Sequence, residues 1–165
     1  MTVEAIVQQL NMQPHPEGGF YKETYRSALA VAGQQVVNTF GEERKASTAI
    51  YFLLTGDLFS AFHKIKSDEV WHFYTGDAVD IYVLNNHGLK IIKLGSDLAQ
   101  GQVFQAVVKA NDWFASKCTN CHGFSLVGCT VAPGFDFTDF ELAKARDLTR
   151  DFPKYEAVIK SLCRQ

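Results

Sequence analysis

Phe62-His63-Lys64-Ile65-Lys66-Ser67-Asp68-Glu69-Val70-Trp71-His72-Phe73-Tyr74-Thr75-Gly76 is the stretch on which the fold turns. It reads as two strands joined by a short Lys/Ser/Asp loop, with Gly76 closing the second strand into the next hairpin. That places His63 and Glu69 on consecutive strands of one sheet. Their heads can then lie on the same side, close enough to share a metal, a proton or a substrate.

The same texture continues on both sides. Short β runs are expected at Phe20–Arg26, Gln35–Phe40, Thr48–Leu54, Leu58–Ile65, Glu69–Tyr74, Ala78–Leu84, Leu89–Leu94, Gln102–Lys109 and Phe124–Val131. Turn residues such as Thr55-Gly56-Asp57, Thr75-Gly76-Asp77 and Asn85-Asn86-His87-Gly88 separate them. Val79, Ile81 and Val83 alternate with their neighbours as a strand requires. A βαβ fold needs helices between strands, and this region has no helical period, so a sandwich or barrel is expected.

Helices are expected at the ends only. Thr2 can cap a helix whose apolar stripe is Val3, Ile6, Val7 and Leu10. Pro153 suits a first helical position, and Tyr155, Val158, Ile159 and Leu162 make a second stripe. Between the first helix and the β region, Pro14-His15-Pro16-Glu17-Gly18-Gly19 breaks regular structure. With no repeat and no linker composition, residues 1–165 read as one domain.

The whole-chain numbers narrow the function classes. A chain of 165 residues can bury roughly two-thirds of its unfolded surface. Thirteen Phe, six Tyr and two Trp favour strands and ligand cavities. The net charge of −2, without a basic run, argues against nucleic acid as a partner. No apolar run approaches a membrane span, and there is no charged-then-apolar leader, so a soluble cytoplasmic protein with four free thiols is expected.

At this point the residues resemble a known family. His63, Glu69 and Gly76 fit the first signature of the cupin superfamily (His, one residue, His, three or four residues, Glu, six residues, Gly), with Ile65 at the second histidine position. The likeness is sharpest to a small group of single-domain cupins of unassigned function. It rests on His15-Pro16-Glu17-Gly18-Gly19-Phe20-Tyr21, Thr48–Leu54, Ser67–His72 and Val131–Phe137. The second signature falls on Val108–Phe114, where Lys109, Asn111 and Phe114 stand for the usual proline, glycine and histidine. Asn111 still tolerates a left-handed turn, whereas Phe114 supplies no ligand. The resemblance implies a double-stranded β-helix (jelly-roll) barrel with short terminal helices, usually a homodimer, similar in architecture to sugar-nucleotide epimerases.

Several chemistries follow from these residues. His63 can act as a general base with Glu69 as its partner. Alternatively His63 and Glu69 hold a divalent metal with a third ligand, as in a dioxygenase, although zinc and non-haem iron sites ordinarily use three protein ligands. In a third reading the barrel only binds a small molecule, its wall built from Tyr51, Phe62, Trp71, His72, Trp113 and Phe114. Strict alternation puts Trp71, not His72, on the face of Glu69.

His15 and Glu17 are read mainly as part of an edge strand or dimer arm, with the family resemblance offering entry into the barrel mouth as the alternative, and Arg26 as a strand residue before a substrate contact. Cys118-Thr119-Asn120-Cys121-His122 spells the haem attachment motif, but it sits between strands, so no haem is expected. Cys118, Cys121 and His122, with Cys129, remain a zinc alternative to incidental thiols. The charged run Asp139 to Arg150 reads as a solvated face.

Overall fold

Apolar runs too short for helices pair here into two facing antiparallel sheets. The computed structural model describes residues 2–164. In chain order its elements are α1 (Val3–Gln9), β1 (Gln13–Pro14), β2 (Phe20–Arg26), β3 (Ala30–Val31), α2 (Gln34–Phe40), β4 (Arg44–Lys45), β5 (Thr48–Thr55), β6 (Phe59–Lys64) and β7 (Asp68–Gly76). There follow β8 (Val79–Asn85), β9 (Gly88–Leu94), β10 (Gln105–Val108), β11 (Trp113–Cys118), β12 (Phe124–Ala132), β13 (Glu141–Leu142), α3 (Ala145–Asp151) and α4 (Glu156–Ser161). The larger sheet runs β1-β2-β5-β12-β7-β10, the smaller β13-β6-β11-β8-β9, and β3-β4 form a separate ribbon.

The main core lies between the two sheets. Phe52, Trp71, Val127 and Ala106 of the larger sheet meet Val79, Ile81, Val83 and Phe114 of the smaller. Each buried ring stabilises by roughly 2 to 3 kcal/mol relative to exposure. Helices cover both outer faces. The stripe of α1 lays Val3, Ile6, Val7 and Leu10 against Leu53 and Phe20, and Thr2 caps the helix by accepting from the Ala5 amide. On the other side Ile159, Leu162 and Leu148 close over Phe62, Leu84 and Ala115.

Three expected segments differ. Gln35–Phe40 is helix rather than strand. Only Phe40 of α2 is buried, so a strand there would have no sheet to join, and the left-handed Gly41 ends the helix by donating to Val37 O. Trp113–Cys118 is a strand of its own, paired on both sides by β6 and β8. The run from Asp139 to Arg150 is not simply a solvated face, because Leu148 is buried beneath α3 and Asp139 is buried too.

Asp139 belongs to a buried, two-pronged tertiary ion pair. Arg44 Nε and Nη2 donate to its two carboxylate oxygens at 2.7 and 2.9 Å. Arg44 Nη2 also donates to Phe40 O and Thr138 Oγ1, which ties α2 to the turn Phe137–Asp139. A buried pair of this geometry is costly to break, because without Arg44 the Asp139 carboxylate keeps only the half-exposed Lys66, whose Nζ lies 3.7 Å from Oδ1. Arg44→Met therefore lowers stability by about 3 to 5 kcal/mol in urea unfolding at pH 7, and adding Asp139→Leu restores part of the loss. A single variant as stable as the parent would contradict this account of the pair.

Candidate active site

A pocket of about 450 Å³ opens at one end of the space between the sheets. Its inner end carries His15, Glu17, His63, Glu69 and Cys129, and its walls include Tyr21, Ile50, Phe52, Ile65, Phe135, Phe137 and Phe140. Gln13, Glu23, Arg26 and Asp136 supply more polar lining. Glu23 holds Arg26 in a two-pronged bond at 2.9 and 2.7 Å.

The segment before β2 delivers two of the inner residues. The chain turns tightly, with His15 N donating to Gly19 O and Gly18 N to His15 O. Gly18 and Gly19 take positive φ of 117° and 80°. A Cβ on Gly18 would lie 2.1 Å from Phe59 O, and one on Gly19 2.7 Å from Leu53 O. Only glycine lets this turn press onto β5 and β6 while Glu17 enters the barrel.

His63 enters from β6. Its Nε2 lies 2.8 Å from Glu17 Oε2 and its Nδ1 2.7 Å from Ala61 O. Both partners are acceptors, so both nitrogens must carry protons and the ring is an imidazolium. Its environment agrees. Burial alone would lower the His63 pKa, but the charge and hydrogen bond of Glu17, helped by Ala61 O and Glu69, raise it above the ordinary 6.5. Burial likewise pushes Glu17 up, and His63, His15 and Ser60 together hold it below 4.5.

Glu69 enters from β7, on the opposite sheet, and is buried without a cation of its own. Burial raises its carboxyl to about 7, with Glu17 pushing the same way and His63 and the neighbouring Cys129 thiol pulling against it. Trp71 lies beside it too, although its Nε1 makes no hydrogen bond. The Cys129 thiol is raised well above 9, first by burial and then by Glu69, so it stays protonated.

The structure therefore brings His63 and Glu69 into one pocket, but across the barrel rather than side by side in one sheet. Of the aromatic residues expected around them, Phe114 packs on His63 and Trp71 lies beside Glu69, while the others are elsewhere. Strand alternation explains four cases, since a neighbour of an inward residue points outward. Phe62, next to His63, packs under the C-terminal helices, and so does Trp113, next to Phe114. Tyr51, between Ile50 and Phe52, faces the α1 side. His72, next to Trp71, bonds Thr130 and Gln105 on the outer face of the larger sheet. Trp71 and Phe114 do point inward, but they sit in the core packing beneath the pocket.

His15 and Glu17 are a correction of a different kind. They follow the short edge strand β1 rather than lying in it, and they form part of the pocket's polar interior. The available signal was the Gly18-Gly19 pair, which marks a backbone forced close to something. Arg26 also lines the pocket. Phe135, Phe137 and Phe140 were missed because they lie on irregular chain with no period to read.

The metal implied by a cupin barrel can be tested against these donors. Ile65 lines the pocket at the second histidine position, and the Phe114 ring packs 4.0 Å from the His63 ring. His63 has no lone pair free, since both nitrogens donate. Among the described residues no group of three or more His, Cys, Asp or Glu is arranged to hold a metal ion. The donor set does not fit a metal of the usual cupin kind. Nor do the cysteines converge, for Cys118 and Cys129 are buried while Cys121 and His122 are exposed in the turn before β12.

Two facing antiparallel sheets with an ionisable site inside the barrel define a cupin-type double-stranded β-helix. Residues 4–143 match the family described as Cupin superfamily (DUF985), and the chain belongs to it. A hypothetical protein from Leishmania major has the same structure with a TM-score of 0.90 and 32% identity, covering 100% of both chains. A Shewanella oneidensis protein gives a TM-score of 0.89 and 37% identity, over 99% of this chain and 98% of that one. An uncharacterised protein of Saccharomyces cerevisiae is 31% identical over 155 residues, 88% of this chain and 77% of its own. Cupin neighbours also include an enzyme, oxalate decarboxylase from Bacillus subtilis, with a TM-score of 0.54 and 13% identity over 90% of this chain and 36% of that one. At that identity the likeness is one of fold alone. No helix among the described residues is long and apolar enough to cross a membrane.

Three of the pocket's shifted groups, Glu17, His63 and Glu69, shape its pH profile. Glu17, lowered, contributes stability above pH 4.5 that is lost as pH falls through its folded value. His63, raised, contributes stability below pH 6.5 that is lost as pH rises through its folded value. Glu69, raised, destabilises the fold progressively between pH 4.5 and about 7. These three together favour the acid side of neutrality, while His15, lowered by burial, destabilises the fold as pH falls below 6.5. Relative to the parent, Glu69→Gln gains about 3 kcal/mol on going from pH 4.5 to pH 8, read by urea unfolding at each pH. A parent–variant difference independent of pH would show that Glu69 titrates normally.

Proposed function

We propose that this protein is a metal-independent proton-transfer enzyme of the isomerase or epimerase type, acting on a small carbonyl-bearing, ring-shaped or sugar-like molecule. The observation that carries this reading is the Glu69 carboxyl, buried at the pocket with its pKa raised to about 7. A general acid–base group works best when its pKa lies near the working pH, and buried carboxyls are tuned there by desolvation.

The roles differ from the simplest reading of the sequence. His63, fully protonated and held by Glu17, is a fixed cation rather than the base. Glu69 takes and returns the proton. The imidazolium stabilises negative charge on Glu69 or on a bound intermediate. The pocket volume suits a small organic molecule, and the walls of Tyr21, Phe52, Phe135, Phe137 and Phe140 suit a flat or ring-shaped one.

The test is hydrogen–deuterium exchange into sugar nucleotides and 2-keto acids in D₂O, followed by proton NMR. At least one compound exchanges with the parent, at a rate that rises through pH about 7 as Glu69 loses its proton. Glu69→Gln slows that exchange by about 100-fold or more. Silence across the panel would leave a barrel that only binds its ligand. Exchange by Glu69→Gln at the parent's rate would remove Glu69 from the chemistry.

A further inference from the structure

His15 has a geometry that the proton-transfer reading leaves unused. The Glu17 backbone N–H donates to His15 Nδ1 at 3.2 Å. A nitrogen that accepts cannot also carry a proton, so the ring is neutral and its proton sits on Nε2. Nε2 has no hydrogen-bond partner among the described residues, and His15 lines the pocket.

The rings around His15 hold it in place. Tyr21 lies 4.7 Å away edge-on and Phe52 5.9 Å, with Phe137 at 6.0 Å and Phe140 at 6.2 Å. The charged groups facing it are Glu17, whose Oε1 is 3.7 Å from Nδ1, and His63. Burial lowers the His15 pKa, Glu17 opposes that, and His63 adds to the lowering, so the ring remains neutral at pH 7. One carboxylate thus lies between two histidines of different charge, a cationic His63 and a neutral His15.

We infer that His15 is a catalytic hydrogen-bond donor, its Nε2–H binding the carbonyl oxygen of a substrate whose adjacent carbon loses a proton to Glu69. The inference rests on the proton-transfer reading and narrows its substrate to carbonyl compounds that bear an α-hydrogen. In the step, the Glu69 carboxylate takes the α-proton. The electron pair of the C–H bond becomes the new C=C bond, and the carbonyl π pair moves to oxygen. That oxygen carries the negative charge, facing the His15 N–H. For an α-hydroxy carbonyl, return of the proton from Glu69 to the former carbonyl carbon, once the oxygens have exchanged a proton, completes isomerisation with no other reactant. Return to the same carbon from the Glu69 side restores the substrate with its hydrogen exchanged. A neutral imidazole suits the task, because its acidity is closer to that of an enol than an imidazolium's is, so it stabilises the oxyanion without trapping it.

Nitrogen NMR of the full chain with ¹⁵N-histidine tests the donor directly, without turnover. His15 is expected as the neutral Nε2–H tautomer at pH 7. Acetohydroxamate, a neutral planar enediol mimic, shifts its Nε2–H resonance. An Nδ1–H tautomer, an imidazolium at pH 7, or an unmoved Nε2–H up to the solubility limit of the probe would overturn the inference.

Kinetics separate the donor from a packing role. With any compound that exchanges, His15→Phe keeps the ring packing yet lowers kcat by about 100-fold at unchanged KM. His15→Gln, which keeps an N–H donor, recovers at least 10-fold of that loss. Equal rates for His15→Phe and parent, with Glu69→Gln still inactive, would remove His15 and leave the proton-transfer reading standing. An active Glu69→Gln would remove that reading instead.

Discussion

The buried contact between His63 and Glu17 is the constraint on which the site depends. Taking an imidazolium and a carboxylate out of water costs several kcal/mol per ion, which only short, well-directed bonds offset. Meeting that demand sets much of the local chain path. Ala61 O must turn to His63 Nδ1, and Glu17 O must accept from the Ala61 amide, which lies on the same strand as the histidine. Glu17 O also accepts from Arg164 Nη2, which bonds Phe59 O as well, while the guanidinium stacks over the Phe59 ring. Segments far apart in sequence therefore converge on β6, and the glycines at 18 and 19 are the condition for their close approach.

That pair also explains why Glu69 is free to titrate near neutrality. Had His63 been an unpaired cation, it would have held Glu69 ionised. Because Glu17 already neutralises it, Glu69 meets a cation and an anion whose effects oppose each other, and burial decides the balance. Cys129, whose thiol stays protonated, adds only a weak stabilisation of the charged form. The positive charge is fixed at one point and the mobile proton is left at another. Burial keeps His15 neutral, and the same Glu17 residue fixes its tautomer through its backbone amide.

Much of this was legible in the amino-acid order. Alternation along Val79–Leu84 and the hairpin turns gave the sheets, and the apolar stripes gave α1 and the final helix. His63 and Glu69 were legible because a buried ionisable residue on an apolar strand is conspicuous. The aromatic wall was not, for a reason inherent in strands. Residues adjacent in sequence to an inward side chain point outward, so closeness to His63 counted against Phe62 rather than for it. The true wall is assembled from Tyr21, Phe52 and the loop residues 135, 137 and 140. Those loop positions follow from tertiary ties such as Arg44 to Asp139, which no local pattern announces.

The departures from the cupin signatures then read as one coordinated change. Ile65 and Phe114 remove two ligands, and a lone histidine in an apolar barrel would ordinarily become neutral and inert. Here Phe114 and Phe140 instead place rings against the imidazole, at 4.0 and 5.2 Å, and aromatic faces attract a cation. Glu17, carried in by a segment outside both signatures, supplies the counter-charge. The barrel thus keeps a positive centre at the first histidine position of the cupin signature, and that centre is a protonated ring with fixed hydrogen bonds. A metal acts by accepting electron pairs from a substrate; an imidazolium with both protons engaged acts only through its field. Chemistry at such a site has to come from a neighbouring group that can exchange a proton, and Glu69 is the buried carboxyl of this pocket whose pKa lies in that range.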